Sequence, residues 1–232
     1  MPVFELTDEI IFPPPELAEE NGLLAIGGDL SESRVLLAYS MGIFPWYSDE
    51  DPLLWWSPDP RLILIPKELK LSRSLRQTLK KETFRVTLDT AFEQVIRACA
   101  EVHNNDDGGT WITEEMIEAY TALHRSGYAH SVECWLRNEL AGGLYGISLG
   151  SVFFGESMFT MKSNASKAAF ATLVGQLTKW EFDLIDCQVT TPHLISLGAR
   201  EIPRSEFLVL LKNALIKPTA RGKWEFDITN RL

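Results

Sequence analysis

The chain has 232 residues, of which 45% are hydrophobic and 23% are charged, and its formal net charge is −10. This length suffices for one domain with a full apolar core, or for one domain with a small appendage. No apolar run approaches the roughly 18 residues of a membrane span, and the acidic N-terminus is unlike a signal peptide, so we expect a cytoplasmic protein.

The first sixty residues are rich in loops and contain one predicted helix. That helix is capped near Asp29 or Ser31 and ends at Gly42. Residues 42–61 follow, "GIFPWYSDEDPLLWWSPDPR", with three tryptophans among four prolines. The composition changes at the end of this segment. We therefore predict a small N-terminal domain, residues 1–61, and a second domain, residues 62–232.

Basic charge is concentrated in one short segment. Residues 1–60 contain twelve acidic residues and one basic residue, whereas residues 61–85 contain eight basic residues and two acidic ones. Leucines spaced at i, i+4 and i+8 predict a helix that Ser72 can cap. The basic residues on and beside its opposite face are Arg73, Arg76, Lys80 and Lys81. Such a face is either an ordinary solvated surface or a site for phosphate groups.

Strand and helix patterns are mixed from residue 84 onward. The sequence predicts a strand at 84–89, a helix at 90–102, a loop at 104–110 and a helix at 113–127. Three strand-like runs joined by short connections predict an antiparallel meander at 129–136, 140–150 and 151–160. A helix at 164–180, a strand at 183–189 and helices at 191–198 and 205–215 follow. A meander followed by helix, strand and helix is the order of a GNAT-type acyltransferase, which predicts an α+β fold.

Three polar residues occur in apolar strands. If the strand at 183–189 alternates regularly, Asp186 and Gln188 share one face, where they are either satisfied by neighbouring groups or open onto a cleft. Glu156 lies in "FFGESMF", where Gly155 can mark a bulge. This glutamate either meets a cation or belongs to a misassigned face.

Several common catalytic motifs are missing from the sequence. The segment "GESMF" lacks the final glycine of the G-x-S-x-G nucleophile elbow, "IGGDLS" is not a dinucleotide or Walker loop, and no H-E-x-x-H is present, which disfavours a serine hydrolase, a nucleotide-dependent enzyme or a zinc protease. Cys99, Cys134 and Cys187 are widely spaced and form no metal-like pair, so they are predicted to be structural thiols. The segment "MKSNASKAAF" also lacks the glycines with which CoA-dependent GNAT enzymes hold pyrophosphate.

Nine segments between about residue 21 and residue 204 closely resemble those of the bacterial leucyl/phenylalanyl-tRNA-protein transferases. They are "NGLLAIGGDLS", "GIFPWYS", "LLWWSPDPR", "GTWIT", "HSVECW", "FFGESMF", "NASKAA", "LIDCQV" and "SLGAREIPR", in the family's order. The resemblance implies transfer of Leu or Phe, and also Met, from aminoacyl-tRNA to proteins that begin with Arg or Lys, which creates a degradation signal. It also implies a small N-terminal domain packed on a GNAT-like domain with a mixed, largely antiparallel sheet.

The resemblance also implies roles for individual residues. Trp46 and Trp111 would stack on the 3′-terminal adenosine of the tRNA. Trp55 and Trp56 are expected to be structural, which is the commoner role for tryptophan beside prolines. The basic helix would contact acceptor-stem phosphates. Glu156 would face the acceptor's N-terminal Arg or Lys. The aminoacyl side chain would occupy an apolar pocket of Leu144, Phe153, Met158, Phe170, Leu173, Leu177 and Ile185.

The proposed chemistry requires no cofactor, because the donor is already an activated ester. The hypothesis is that Gln188 aligns the α-amine while Asp186 accepts or relays its proton, and the sequence leaves open whether Asp186 is a base or an electrostatic aid. We expect a monomer that does not bind membranes. The alternatives are a GNAT enzyme that uses CoA donors, and a tRNA- or peptide-binding module without catalysis.

Overall fold

The computed structural model describes residues 3–104 and 111–226, so the predicted loop at 104–110 lies almost wholly outside the described residues. The N-terminal elements are β1 (Phe4–Leu6), β2 (Leu23–Gly27), α1 (Glu32–Ser40), β3 (Phe44–Pro45) and β4 (Leu54–Trp56). Two short 3-10 helices span Pro15–Leu17 and Pro66–Glu68. The four strands form one small sheet in the order β1-β2-β4-β3.

The elements from residue 61 onward build a larger sheet and the helices around it. They are β5 (Arg61–Leu64), α2 (Arg73–Lys80), β6 (Arg85–Leu88), α3 (Phe92–Asn104), α4 (Glu114–Arg125), β7 (Ala129–Leu136), β8 (Glu139–Leu149), β9 (Val152–Thr160), α5 (Ala165–Lys179), β10 (Leu184–Gln188), α6 (Pro192–Ser196), β11 (Arg200–Ile202) and α7 (Arg204–Ala214). The predicted helices and strands in the described ranges are all present, within a few residues of their predicted ends.

The larger sheet has seven strands in the order β11-β5-β10-β9-β8-β7-β6. Neighbouring strands from β6 to β9 are antiparallel, which confirms the predicted meander. The chain then crosses through α5 and returns as β10, which is parallel to β9 and antiparallel to β5. One parallel pair among antiparallel ones makes the sheet mixed and largely antiparallel, so the predicted α+β class with such a sheet is confirmed.

Apolar side chains cover both faces of the larger sheet. On one face α1, α3, α4 and α7 pack against strand residues such as Ile63 and Phe154. On the other face α2, α5 and a C-terminal segment around Trp224 pack against Leu62 and Phe153. Because α1 belongs to the N-terminal part of the chain, the small sheet is joined to the larger one through a shared apolar core. None of the described helices is both long enough and apolar enough to cross a membrane.

The parallel strands β9 and β10 separate near the middle of the sheet. Their last paired residues are Phe154 and Asp186. Beyond that point β9 has a bulge at Glu156, because Tyr145 of β8 pairs with Ser157 whereas the next β8 residue, Gly146, pairs with Gly155. A Cβ on Gly146 would collide with the carbonyl oxygen of Phe154, so glycine permits this close approach of β8 and β9.

Candidate active site

A cavity of about 350 Å³ opens where β9 and β10 separate. It is lined by residues from the N-terminal part, the segment before α4, three central strands, α5 and α6, and its walls are mainly apolar. Two polar side chains face each other across the gap: Glu156 from β9 and Gln188 from β10. Each lies two residues beyond the last pair that joins the strands. The pair therefore lies at the point where the backbone ladder no longer closes the sheet.

Asp186 is held in a buried ion pair with Arg61. The guanidinium donates from Nε to Asp186 Oδ1 at 2.8 Å and from a terminal nitrogen to Oδ2 at 2.6 Å, and both residues are fully buried. The rings of Phe44 and Phe207 lie 4.8 and 4.6 Å from the guanidinium carbon. The bidentate pair and the two aromatic rings offset part of the cost of burying both charges, while Nη1 of Arg61 has no hydrogen-bond partner in the described part of the chain. Asp186 is not among the residues that line the cavity.

Gln188 departs from the regular alternation expected for its strand. Its φ is +61°, a left-handed conformation that is uncommon for a residue with a side chain, and the pairing with β5 shifts between Asp186 and Gln188. Asp186 Oδ1 accepts the Gln188 backbone N–H at 2.9 Å, which stabilises this turn. The prediction that both side chains share one face is therefore wrong: Gln188 turns into the cavity, whereas Asp186 points to Arg61.

Glu156 is a buried carboxylate at the cavity wall, only 9% exposed. Its Oε1 accepts hydrogen bonds from the Tyr39 hydroxyl at 2.7 Å and from Gln188 Nε2 at 3.1 Å, and its Oε2 accepts one from the Tyr120 hydroxyl at 3.1 Å. Burial raises the pKa of Glu156 to about 7, although the hydrogen bonds from the two tyrosines oppose that rise. The carboxylate can therefore exchange a proton near neutral pH.

The bulge at Glu156 decides between the two explanations for a glutamate in this apolar strand, which were a cationic partner and a misassigned face. Phe154 packs on one face of the sheet and Met158 lies beside the core on the other, so the bulge reverses the alternation between them. The carboxylate meets no cation among the described side chains and is satisfied by neutral donors instead.

Aromatic rings form one side of the cavity. Trp46 and Trp111 both line it, and Trp46 is 41% exposed. Trp56 packs against Trp46 with ring centroids 5.8 Å apart, and its indole N–H donates to the Trp46 carbonyl oxygen at 2.7 Å. Trp55 is fully buried and donates to the Gly27 carbonyl oxygen. Trp56 therefore supports the backbone and the ring of Trp46, while Trp55 is a core residue.

The predicted aminoacyl pocket falls partly on this cavity. Five of its seven residues line the cavity: Leu144, Phe153, Met158, Phe170 and Ile185. The other two, Leu173 and Leu177 of α5, are not among the lining residues. They are fully buried in the apolar core between α5 and the larger sheet. Further lining residues that the sequence did not suggest are Cys187, Val189, Thr191, His193 and Leu194.

The predicted basic helix forms as α2. Ser72 caps it by accepting the Leu75 backbone N–H at 3.2 Å, and Leu75 is the buried residue of the helix. The helix packs against α5. All four predicted basic side chains are exposed: Arg73, Arg76, Lys80 and Lys81. They do not line the cavity, so the structure leaves them as a separate surface.

Sequence reasoning missed three residues that position the polar groups of the site: Arg61, Tyr39 and Tyr120. Arg61 opens the apolar run "RLILI", and an arginine at such a position is a signal for a buried ion pair. The two tyrosines lie on helices whose apolar spacing gave no indication that their hydroxyls meet. These hydroxyl oxygens are 2.5 Å apart and both bond to Glu156.

The described ranges contain no group of three or more histidine, cysteine, aspartate or glutamate side chains that could hold a metal ion. The three cysteines are buried and form no disulfide bond. The pKa of the Cys187 thiol, at the cavity wall, is raised by burial. Among the described residues that line the cavity, Glu156 supplies the one carboxylate, and it is hydrogen-bonded to Gln188.

The sequence matches two family models. One, described as leucyl/phenylalanyl-tRNA protein transferase, matches residues 63–212, and the other, described as the N-terminal domain of that transferase, matches residues 28–59. The matched ranges cover β10 with Asp186 and Gln188, the bulge at Glu156, and Trp46.

Relatives with the same description match along the whole chain. A leucyl/phenylalanyl-tRNA-protein transferase of Desulfatibacillum aliphaticivorans is 60% identical over 232 residues, which is all of both chains. One from Syntrophobacter fumaroxidans is 60% identical over 97% of this chain and 96% of its own. Among solved structures, a GCN5-related N-acetyltransferase-like protein from Streptococcus suis is 16% identical with a TM-score of 0.35, over 74% of this chain and 65% of its own.

Proposed function

Because this chain belongs to the leucyl/phenylalanyl-tRNA-protein transferase family, we propose that its cavity transfers leucine or phenylalanine from aminoacyl-tRNA to the α-amine of proteins that begin with arginine or lysine. A peptide bond replaces the ester bond of the donor, and the new N-terminal residue marks the protein for degradation. Methionine is a further proposed donor residue.

One observation carries this proposal: an apolar pocket, a buried carboxylate and two tryptophan rings line the same cavity. The apolar part fits a leucyl or phenylalanyl side chain. Trp46 and Trp111 offer ring faces to an unpaired base. Glu156 offers a carboxylate to the cationic N-terminal residue of the acceptor. Donor and acceptor can therefore meet at Gln188, between these parts.

The direct test is transfer of labelled leucine from Leu-tRNA to a peptide that begins with arginine. We expect the peptide with a free α-amine to be labelled and the same peptide acetylated at its N-terminus to remain unlabelled. A parallel mixture replaces the tRNA donor with leucyl-CoA or acetyl-CoA. Labelling from a CoA donor would instead support a CoA-dependent acyltransferase, and tRNA binding without transfer would support a binding module.

Trp46 is proposed to stack on the 3′-terminal adenosine of the donor. We expect Trp46→Ala to raise KM for aminoacyl-tRNA by about 5- to 150-fold, because base-aromatic stacking contributes about 1 to 3 kcal/mol per base. Trp46→Phe is the matched variant, since it retains a ring face and should keep most of the affinity. Steady-state kinetics with varied Leu-tRNA measure both. Equal KM values for the alanine variant and the parent would remove the stacking role.

The exposed basic face of α2 is proposed to contact acceptor-stem phosphates. We expect Lys80→Ala combined with Lys81→Ala to weaken tRNA binding and to reduce the slope of log Kd against log salt concentration by about 2, since each lost phosphate contact lowers it by about 1. Lys212→Ala combined with Lys223→Ala removes the same charge from exposed positions outside α2 and should leave the slope unchanged. An unaltered slope in the α2 variant would leave that face as a solvated surface.

Asp186 and Gln188 are proposed to act together on the attacking amine. Because the Gln188 Nε2 donates to Glu156, its Oε1 is the atom left to accept a hydrogen bond from an α-amine. Of the two roles open to Asp186, the ion pair with Arg61 supports the electrostatic one. Its carboxylate fixes the Gln188 backbone and adds negative charge near a nitrogen that becomes positive during attack.

We also propose the division into a small N-terminal domain, residues 1–61, and a GNAT-like catalytic domain, residues 62–232. The two separate sheets support it, with β5 starting at Arg61. We also propose that the protein acts as a monomer.

A further inference from the structure

We propose that Glu156 accepts the proton that the acceptor's α-amine loses when it attacks the donor ester. The inference deepens the proposed function, because it assigns the proton acceptor within the same reaction. It rests on three features of the described residues: the burial of Asp186 in its ion pair with Arg61, the position of Glu156 at the cavity wall, and the hydrogen bonds that hold the Glu156 carboxylate.

Asp186 is poorly placed to take a proton from a substrate. Its side chain is fully buried, and its two oxygens accept hydrogen bonds from the Arg61 guanidinium and the Gln188 backbone N–H. A proton on this carboxylate would break a buried ion pair and leave an uncompensated guanidinium. Protonation of Glu156, the second carboxylate of the site, breaks no ion pair, because its hydrogen-bond donors are neutral.

Glu156 lines the cavity beside the amide that would align the amine. A nitrogen bonded to Gln188 Oε1 therefore approaches a carboxylate that is joined to the same amide by a 3.1 Å hydrogen bond. The titratable groups that face Glu156 are Tyr39 of α1, Tyr120 of α4, Tyr145 of β8 and Asp186 of β10. Burial raises the pKa of all three tyrosines, so they remain neutral donors near pH 7.

The carboxylate is poised to exchange its proton in the working pH range. Its pKa of about 7 is close to the reference value of about 8 for an α-amine, and such a match favours proton transfer. The tyrosine hydroxyls stabilise the ionised form and hold it in position, because each donates to a different oxygen. Tyr39 and Tyr120 are therefore positioning residues for Glu156.

The step is balanced without a cofactor. The acceptor nitrogen forms a bond to the ester carbonyl carbon, and the bond between that carbon and the ribose oxygen breaks. The nitrogen loses one proton to ionised Glu156, and the ribose oxygen gains one as it leaves as a hydroxyl. Glu156 is ionised again once it has returned its proton to that oxygen, directly or through solvent.

The pH profile of kcat/KM for an arginine-initiated peptide tests the inference. Because both Glu156 and the free α-amine must be deprotonated, log kcat/KM should fall with a slope approaching 2 below about pH 7. In Glu156→Gln the slope should approach 1, since only the amine still titrates. The same variant should lose about 100-fold or more in kcat/KM above pH 7, the usual contribution of general base catalysis.

Two further variants test the inference if Glu156→Gln does not fold. Tyr39→Phe and Tyr120→Phe each remove a hydrogen bond that lowers the pKa of Glu156. The acid limb of the profile, which is the range where kcat/KM falls as the pH is lowered, should therefore move to higher pH by about one unit. Tyr145→Phe is the matched control: its hydroxyl has no hydrogen-bond partner in the described part of the chain, so its removal should not move that limb.

Several outcomes would overturn the inference. A slope near 2 in Glu156→Gln, or a kcat/KM within a few-fold of the parent, would assign the proton to another group. An acid limb that stays in place in both tyrosine variants would do the same. Failure of the proposed function looks different, because the parent enzyme would then label no peptide with a free amine at any pH.

Discussion

Arg61→Met is expected to lower the free energy of unfolding by about 3 to 5 kcal/mol. The substitution leaves the Asp186 carboxylate fully buried without its cationic partner, and breaking one side of a buried ion pair typically costs that much. It also removes a cation that lies against the rings of Phe44 and Phe207. Unfolding in urea, followed by tryptophan fluorescence and analysed by linear extrapolation, measures the change.

Two variants show whether the loss comes from the uncompensated charge. Arg61→Met combined with Asp186→Leu removes both charges and should recover most of the stability, since an apolar pair of similar volume is often neutral or better. Arg97→Met breaks an exposed ion pair with Glu93 and Glu114 and should leave the unfolding midpoint nearly unchanged. If Arg61→Met costs no more than Arg97→Met, the buried pair does not stabilise the fold.

Asp186→Asn is expected to lower kcat by about 100- to 1000-fold, with a smaller effect on KM for the acceptor. The substitution removes a fixed negative charge near the proposed position of the attacking nitrogen and weakens the hold on the Gln188 backbone, and a lost preorganised electrostatic group commonly costs that much. It also removes a charge that raises the pKa of Glu156, so the acid limb of the pH profile should move to lower pH. Steady-state kinetics measure kcat, and single-turnover transfer from Leu-tRNA measures the rate constant of the transfer step separately from product release.

Asp183→Asn is the matched control for this variant. Asp183 precedes the same strand but forms a half-exposed ion pair with Lys217, so its loss should leave kcat unchanged. Near-ultraviolet circular dichroism and the melting temperature establish that both variants are folded. A folded Asp186→Asn variant with near-parental kcat would remove Asp186 from the mechanism.

The polar residues of the cavity show how far sequence reasoning reaches. Glu156 and Gln188 were recognisable because a carboxylate and a carboxamide in apolar strands must be compensated or functional. Regular alternation nevertheless placed Gln188 on the wrong face. A left-handed turn at Gln188 and a bulge at Glu156 reverse the alternation. Gly155 indicated a possible bulge, but the turn at Gln188 has no local signal, and the register of both strands depends on the strands that lie beside them.

The order of the elements and the family were determined by the sequence itself. Local patterns of period 2 and 3.6 predict each helix and strand from neighbouring residues, and nine short segments in order identify the transferase family. The tertiary structure alone decided what the polar groups contact. Arg61 meets Asp186 across 125 residues, and Tyr39 meets Glu156 across 117. Such partners are brought together by the packing of both apolar layers on the sheet, and a buried charge takes its protonation state from the groups that packing supplies.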